Sequence, residues 1–110
     1  MLTKISKRNK LGALGSSIIY QLSTLDQQLK PHYFEFEHIA HDVIQLYQWK
    51  LNDPTSFKSF IHTKCGQNEL TNLQCLVHHN ETRLINNYTF LNNNQYQALN
   101  DIKLIINDLK

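Results

Sequence analysis

The chain is poor in the residues that interrupt regular structure. Its 110 residues include three glycines and two prolines, too few to turn the many short strands of a sandwich or barrel. No segment alternates apolar and polar positions as a half-buried strand does. Cysteine is equally scarce: Cys65 and Cys75 are the only two, where a small secreted domain stapled by disulfides carries more. That scarcity predicts free thiols and a cytoplasmic setting, in which the sequons at Asn80 and Asn87 have no glycan to accept. Charged residues make up 18% of the chain, below the usual quarter. Twelve asparagines and nine glutamines supply the polarity instead. No run nears the roughly 20 apolar residues of a membrane span. The most apolar stretch near the start, LGALGSSII, is interrupted by two glycines and two serines and does not read as a signal peptide.

Catalytic signatures are missing too. There is no Gly-rich phosphate loop, no G-x-S-x-G and no H-E-x-x-H. The carboxylates are scattered, and a cysteine near a histidine is by itself a weak nucleophile signal. The expectation is a protein that is not an enzyme and carries no cofactor.

Charge is present but unevenly placed. The net charge of +2 comes from the first ten residues, where Lys4, Lys7, Arg8 and Lys10 stand with no acid; the rest holds seven basic against nine acidic residues. Residues 1–10 therefore read as a flexible basic arm before a single domain at 11–110. Such an arm suits nucleic acid or an acidic surface, and is equally compatible with a plain solvated terminus.

The remaining pattern is helical. Ile18, Leu22, Leu25 and Leu29 recur at steps of four, three and four between Ser16 and Lys30. Pro31 suits the first turn of a second helix, which runs to about Leu51 with Phe36, Ala40, Val43 and Tyr47 on one side and Ile39 and Ile44 flanking. Asp53 and Pro54 then cap and open a short third helix on Phe57, Phe60 and Ile61, with Gly66 as its left-handed end. A long fourth helix spans about Asn68 to Leu91 on Leu70, Leu73, Val77, Leu84 and Tyr88. Asn92, Asn93 and Asn94 break it, and a fifth carries Tyr96, Leu99, Ile102, Ile106 and Leu109. These predict an all-α fold, a compact bundle of four main helices plus one short one, long enough to bury its own core.

The stretch CLVHHNETR, Cys75 to Arg83, concentrates potential metal ligands. At 100° per residue, Cys75 and His79 share the side of helix four away from its apolar stripe. Two ligands are short of the three or four that zinc requires. His62 and Cys65 are the nearest further candidates, and the spacing matches no strong pattern. No metal is expected. Asn80, by contrast, falls on the apolar side, where an amide without partners costs about 1–3 kcal/mol. It marks either a specific partner or a thin, wet part of the bundle.

Helix two carries the clearest functional signal. Opposite its core stripe stand Phe34, His38, His41, Gln45 and Trp49, including the only tryptophan, where a surface helix should be polar. Either the helix packs on both sides or this face binds a partner, since aromatic residues beside histidine and glutamine suit an interface. Glu35-x-x-His38 matches half of a di-iron pattern, but no second such motif is present.

The residues QLSTLDQQL at Gln21 to Leu29, FEHIAH at Phe36 to His41 and NELTNLQCLVHHNETRL at Asn68 to Leu84 resemble the N-terminal helical domain of primosomal replication protein N″, a replication-restart factor. That resemblance implies a helical fold and a nucleic-acid accessory role. The family's basic C-terminal half has no counterpart here, which puts the DNA-binding role in question, and no site residues follow from it. The leading expectation is a small protein that acts by binding another protein, as an inhibitor, immunity-type protein or adaptor. The rival is a nucleic-acid accessory protein working through the basic arm.

Overall fold

Ile18, Leu22 and Leu25 line one side of α1 (Arg8–Gln28), and Leu29 continues the stripe in the turn beyond it; all four are buried. The computed structural model describes residues 8–30, 33–87 and 91–110, with backbone alone for 8–13, 86 and 87. Four further helices follow: α2 (Phe36–Asn52), α3 (Pro54–Ile61), α4 (Lys64–Asn87) and α5 (Asn93–Leu109). The described residues contain no strand, so the fold is all-α with four long helices and one short one. Val43, Tyr47, Leu73, Val77, Leu99 and Ile102 belong to one core. Only α2 packs against every other helix.

Helix boundaries differ from the sequence expectation where tertiary contacts decide them. Helix one is already formed at Arg8, well before Ser16, so Arg8 to Lys10, read as arm, have helical backbone. Gly15 is buried, and a Cβ there would stand 3.1 Å from Ile44 Cγ2; the missing side chain lets α1 close onto α2.

Helix two begins at Phe36 and not at Pro31, which lies outside the described residues. Tyr33 has φ 58, a left-handed conformation that a right-handed helix does not pass through. The first amides of α2 then find acceptors on other helices. Asp26 of α1 accepts from Phe36 N–H at 3.1 Å and Glu37 N–H at 2.9 Å, and Asn80 of α4 accepts from Glu35 N–H at 3.3 Å. Glu35, at the capping position, gives no side-chain cap of its own.

Gly66 does not end α3 in a left-handed turn. No glycine among the described residues has positive φ, and Gly66 lies inside α4, which starts at Lys64 rather than Asn68. Its role is steric. A Cβ at this position would sit 2.2 Å from Phe60 O and 2.8 Å from Ile61 Cα, so only glycine lets α4 leave α3 so abruptly. Thr63 Oγ1 accepts from Gly66 N–H at 3.0 Å, satisfying one of the opening amides of α4.

Helix four is described as far as Asn87; Tyr88 lies outside the described residues, and Leu91 is not helical. Asn92 is a start as well as a break. Its side chain accepts from Gln95 N–H at 2.7 Å while Gln95 Oε1 accepts from Asn92 N–H at 3.1 Å, a reciprocal capping box. Gln95 is wholly buried and occupies the core position expected of Tyr96, which is 61% exposed. Its amide nitrogen donates to Thr24 Oγ1 at 3.2 Å and to Gln28 Oε1, tying α5 to α1.

The Asp26 cap gives a pH signature. Burial pushes its carboxyl above the ordinary 3.8; the two α2 amides oppose the rise, and the charges of Glu37 and Glu35 add to it. A carboxyl raised on folding holds its proton more tightly when folded. Its contribution is therefore fully present below 3.8 and lost as pH rises through the raised value. Asp26→Asn does not titrate. Whatever its fixed loss as a cap, it should gain on wild type as pH rises from about 3 to about 7. Urea unfolding of both proteins across that range measures the difference, and a pH-independent gap would contradict it.

Candidate functional site

Helix two divides cleanly by face. Phe36, Ile39, Ala40, Val43, Ile44 and Tyr47 are buried, while His38, His41 and Gln45 on the opposite side are exposed. Each imidazole has an acid one turn away: His38 Nε2 is 3.5 Å from Asp42 Oδ2, and His41 Nε2 is 3.6 Å from Glu37 Oε2. These carboxylates steady the two rings in place, although exposed pairs of this kind contribute little to stability.

Trp49 continues the stripe and anchors its end. It is half-buried, edge-on to Phe57 with centroids 5.5 Å apart and tilted against Phe60 at 5.0 Å. Its Nε1 donates to Ser56 Oγ at 3.3 Å. The indole therefore clamps α3 to α2 while remaining partly accessible.

Phe34 does not belong with the others. The stripe assumed a helix from Pro31; with α2 starting at Phe36, Phe34 precedes it and is out of helical register. It is 7% exposed, stacks on Phe36 at 5.6 Å, and carries the Arg83 guanidinium 4.4 Å above its ring. Burial and a cation–π contact make it part of the packing beneath Arg83.

Cys75 and His79 both project from the exposed side of α4. Cys65 lies on the same helix ten residues earlier, about 15 Å away along its axis, and His62 ends α3. Among the described residues no three His, Cys, Asp or Glu side chains come together as metal ligands. Glu81 meets Lys103 of α5 at 2.9 Å. Both line a groove of about 230 Å³ between α4 and α5 that also receives His78. Asn80 has a partner at both polar atoms: its Nδ2 donates to Leu76 O at 2.8 Å, and its Oδ1 accepts from the Glu35 backbone N–H. It ties α4 to the start of α2.

Of the basic residues, Lys4 and Lys7 lie outside the described residues, as do the side chains of Arg8 and Lys10. No helix among the described residues is long and apolar enough to cross a membrane.

Two inward polar groups on α5 escaped the sequence reading. Gln95 stands in register with Leu99, Ile102, Ile106 and Leu109, and Asp101 lies three residues after Ala98 and four before Ile105. Both are buried with those neighbours, so the signal was a polar residue at apolar spacing. Comparison with protein families, curated proteins and solved structures returns no match, and the primosomal resemblance rests on the quoted residues alone.

Proposed function

We propose that the protein acts by binding another protein through the outward face of α2. One observation carries this reading: the helix that packs on all the others still presents His38, His41 and Gln45 to solvent, leading to a partly accessible indole. An aromatic anchor beside hydrogen-bonding side chains is the composition of interface centres. The two imidazoles offer donors and acceptors at fixed positions on a rigid helix, which lowers the ordering cost of association. An inhibitor, an immunity-type protein or an adaptor acts in this way, without catalysis or cofactor. The basic stretch at Lys4, Lys7, Arg8 and Lys10 supports the second reading, a nucleic-acid accessory role, whose mark is affinity that falls steeply with salt.

A photo-crosslinking residue placed at Gln45 tests the first reading in extract of the native host. A discrete adduct is expected from position 45 and none from Thr71, on the exposed side of α4. His38→Ala with His41→Ala should remove the adduct. Equal adducts from both positions, or none from Gln45, would count against the α2 face. Salt-sensitive gel shifts by the same protein would move the reading to nucleic acid.

A further inference from the structure

The cleft between α1 and α5 is lined by a buried carboxylate. Asp101 is 7% exposed. Its Oδ1 accepts from Gln97 Nε2 at 3.0 Å, and its Oδ2 has no hydrogen-bond or ion-pair partner among the described residues. No buried side-chain oxygen or nitrogen lacks a partner, so this oxygen reaches the open space of the cleft that Asp101 lines. The space measures about 290 Å³. Leu14, Ile18 and Ala98 form its apolar wall, and Ser17, Gln21, Asn94 and Gln97, which carry a hydroxyl and amides, complete the lining.

Among the described residues no cation pairs with Asp101. Lys103, two residues along α5, is turned towards Glu81 on α4, and Lys50 pairs with Asp108. A carboxylate this withdrawn from water gains more from an arriving positive charge than an exposed one does. The acceptor geometry also selects the cation. A guanidinium fork is best met by both carboxylate oxygens, and the Gln97 amide on Oδ1 competes with that approach. An ammonium needs single acceptors for its three N–H donors, which Asp101 Oδ2, Ser17 and the amides provide. We infer that the α1/α5 cleft binds an alkylammonium group of lysine side-chain size, its nitrogen on Asp101 Oδ2 and its methylenes against Leu14, Ile18 and Ala98. The site is separate from the outward face of α2 and does not depend on it.

Amide NMR of the full chain, titrated with n-butylammonium chloride at constant ionic strength, tests the assignment. Saturable shifts are expected at Ser17, Ala98 and Asp101, with a dissociation constant on the order of 1 mM, as suits so small a ligand. Butan-1-ol, of equal length and uncharged, should bind at least about tenfold more weakly, since the ion pair is lost. Asp101→Asn keeps the acceptor for Gln97 and removes the charge, so it should weaken binding by a similar factor. Ser17→Leu, at an exposed rim position, should block the mouth with an otherwise wild-type spectrum, and decides the matter alone if Asp101→Asn does not fold. N-acetyl-lysine methylamide separates the sources: binding as tight as n-butylammonium assigns the cleft to a lysine side chain, weaker binding to a free amine. Absence of saturation, an equal response to butan-1-ol, or full affinity in the folded variants would overturn the inference.

Discussion

Gly66→Ala should lower stability by about 3 kcal/mol, although it adds one methyl and favours helix in isolation. The cause is backbone contact. The new Cβ would stand 2.2 Å from Phe60 O, 2.8 Å from Ile61 Cα and 2.9 Å from Phe60 C, and none of these atoms turns aside as a flexible side chain does. Either α4 moves off α3 or the end of α3 unwinds, and both disturb Phe57 and Ile61, which are buried. Thermal unfolding should show the midpoint falling by roughly 10–20 °C. A midpoint at or above that of wild type would mean that the α3–α4 corner is not as tight as described.

Trp49→Ala is the second large expected effect, at about 2–3 kcal/mol, below the 3–5 of a fully buried aromatic. The indole contacts Phe57 and Phe60 and donates to Ser56, so its removal strips the outer part of the α2–α3 contact while the buried Phe57 and Ile61 remain in the core. Trp49→Phe should recover the ring packing and lose only the hydrogen bond to Ser56, a net effect of about 1 kcal/mol. Equilibrium urea unfolding of the two variants distinguishes them. Equal losses would show that the indole N–H, rather than the ring, ties the helices together.

The parts of the fold legible in the sequence are those set by local periodicity. Ile18, Leu22 and Leu25 place the inner side of α1, and Phe36, Ala40, Val43 and Tyr47 that of α2, because a one-turn apolar repeat has a single way to be buried. Asp53 and Pro54 announced α3, and Asp53 does cap it, accepting from Ser56 N–H at 3.2 Å. What escaped was set by partners distant along the chain. Asp26 and Asn80 cap α2 from α1 and α4, so no window around Pro31 marks the true start at Phe36. That shift also misplaced Phe34, which needed helical register to share a face with His38. Gly66 carried a steric role that its local sequence shares with an ordinary helix end. Of the α2 stripe, His38, His41 and Gln45 were legible as an outward face because they lie within the regular helix. Asp101 was not, because a polar residue at core spacing reads the same whether it is partnered or left open to a cleft.

The proposed separation of α2 into a folding side and a binding side is most directly tested by thermal unfolding of the His38→Ala, His41→Ala double variant beside wild type. Both imidazoles are more than half exposed, at 70% and 56% of their side-chain surface, and each pairs with a carboxylate on its own helix. Removing them should leave the midpoint within about 4 °C of wild type. A fall of roughly 10 °C or more would show that this face belongs to the fold and leave no free surface for a partner on α2.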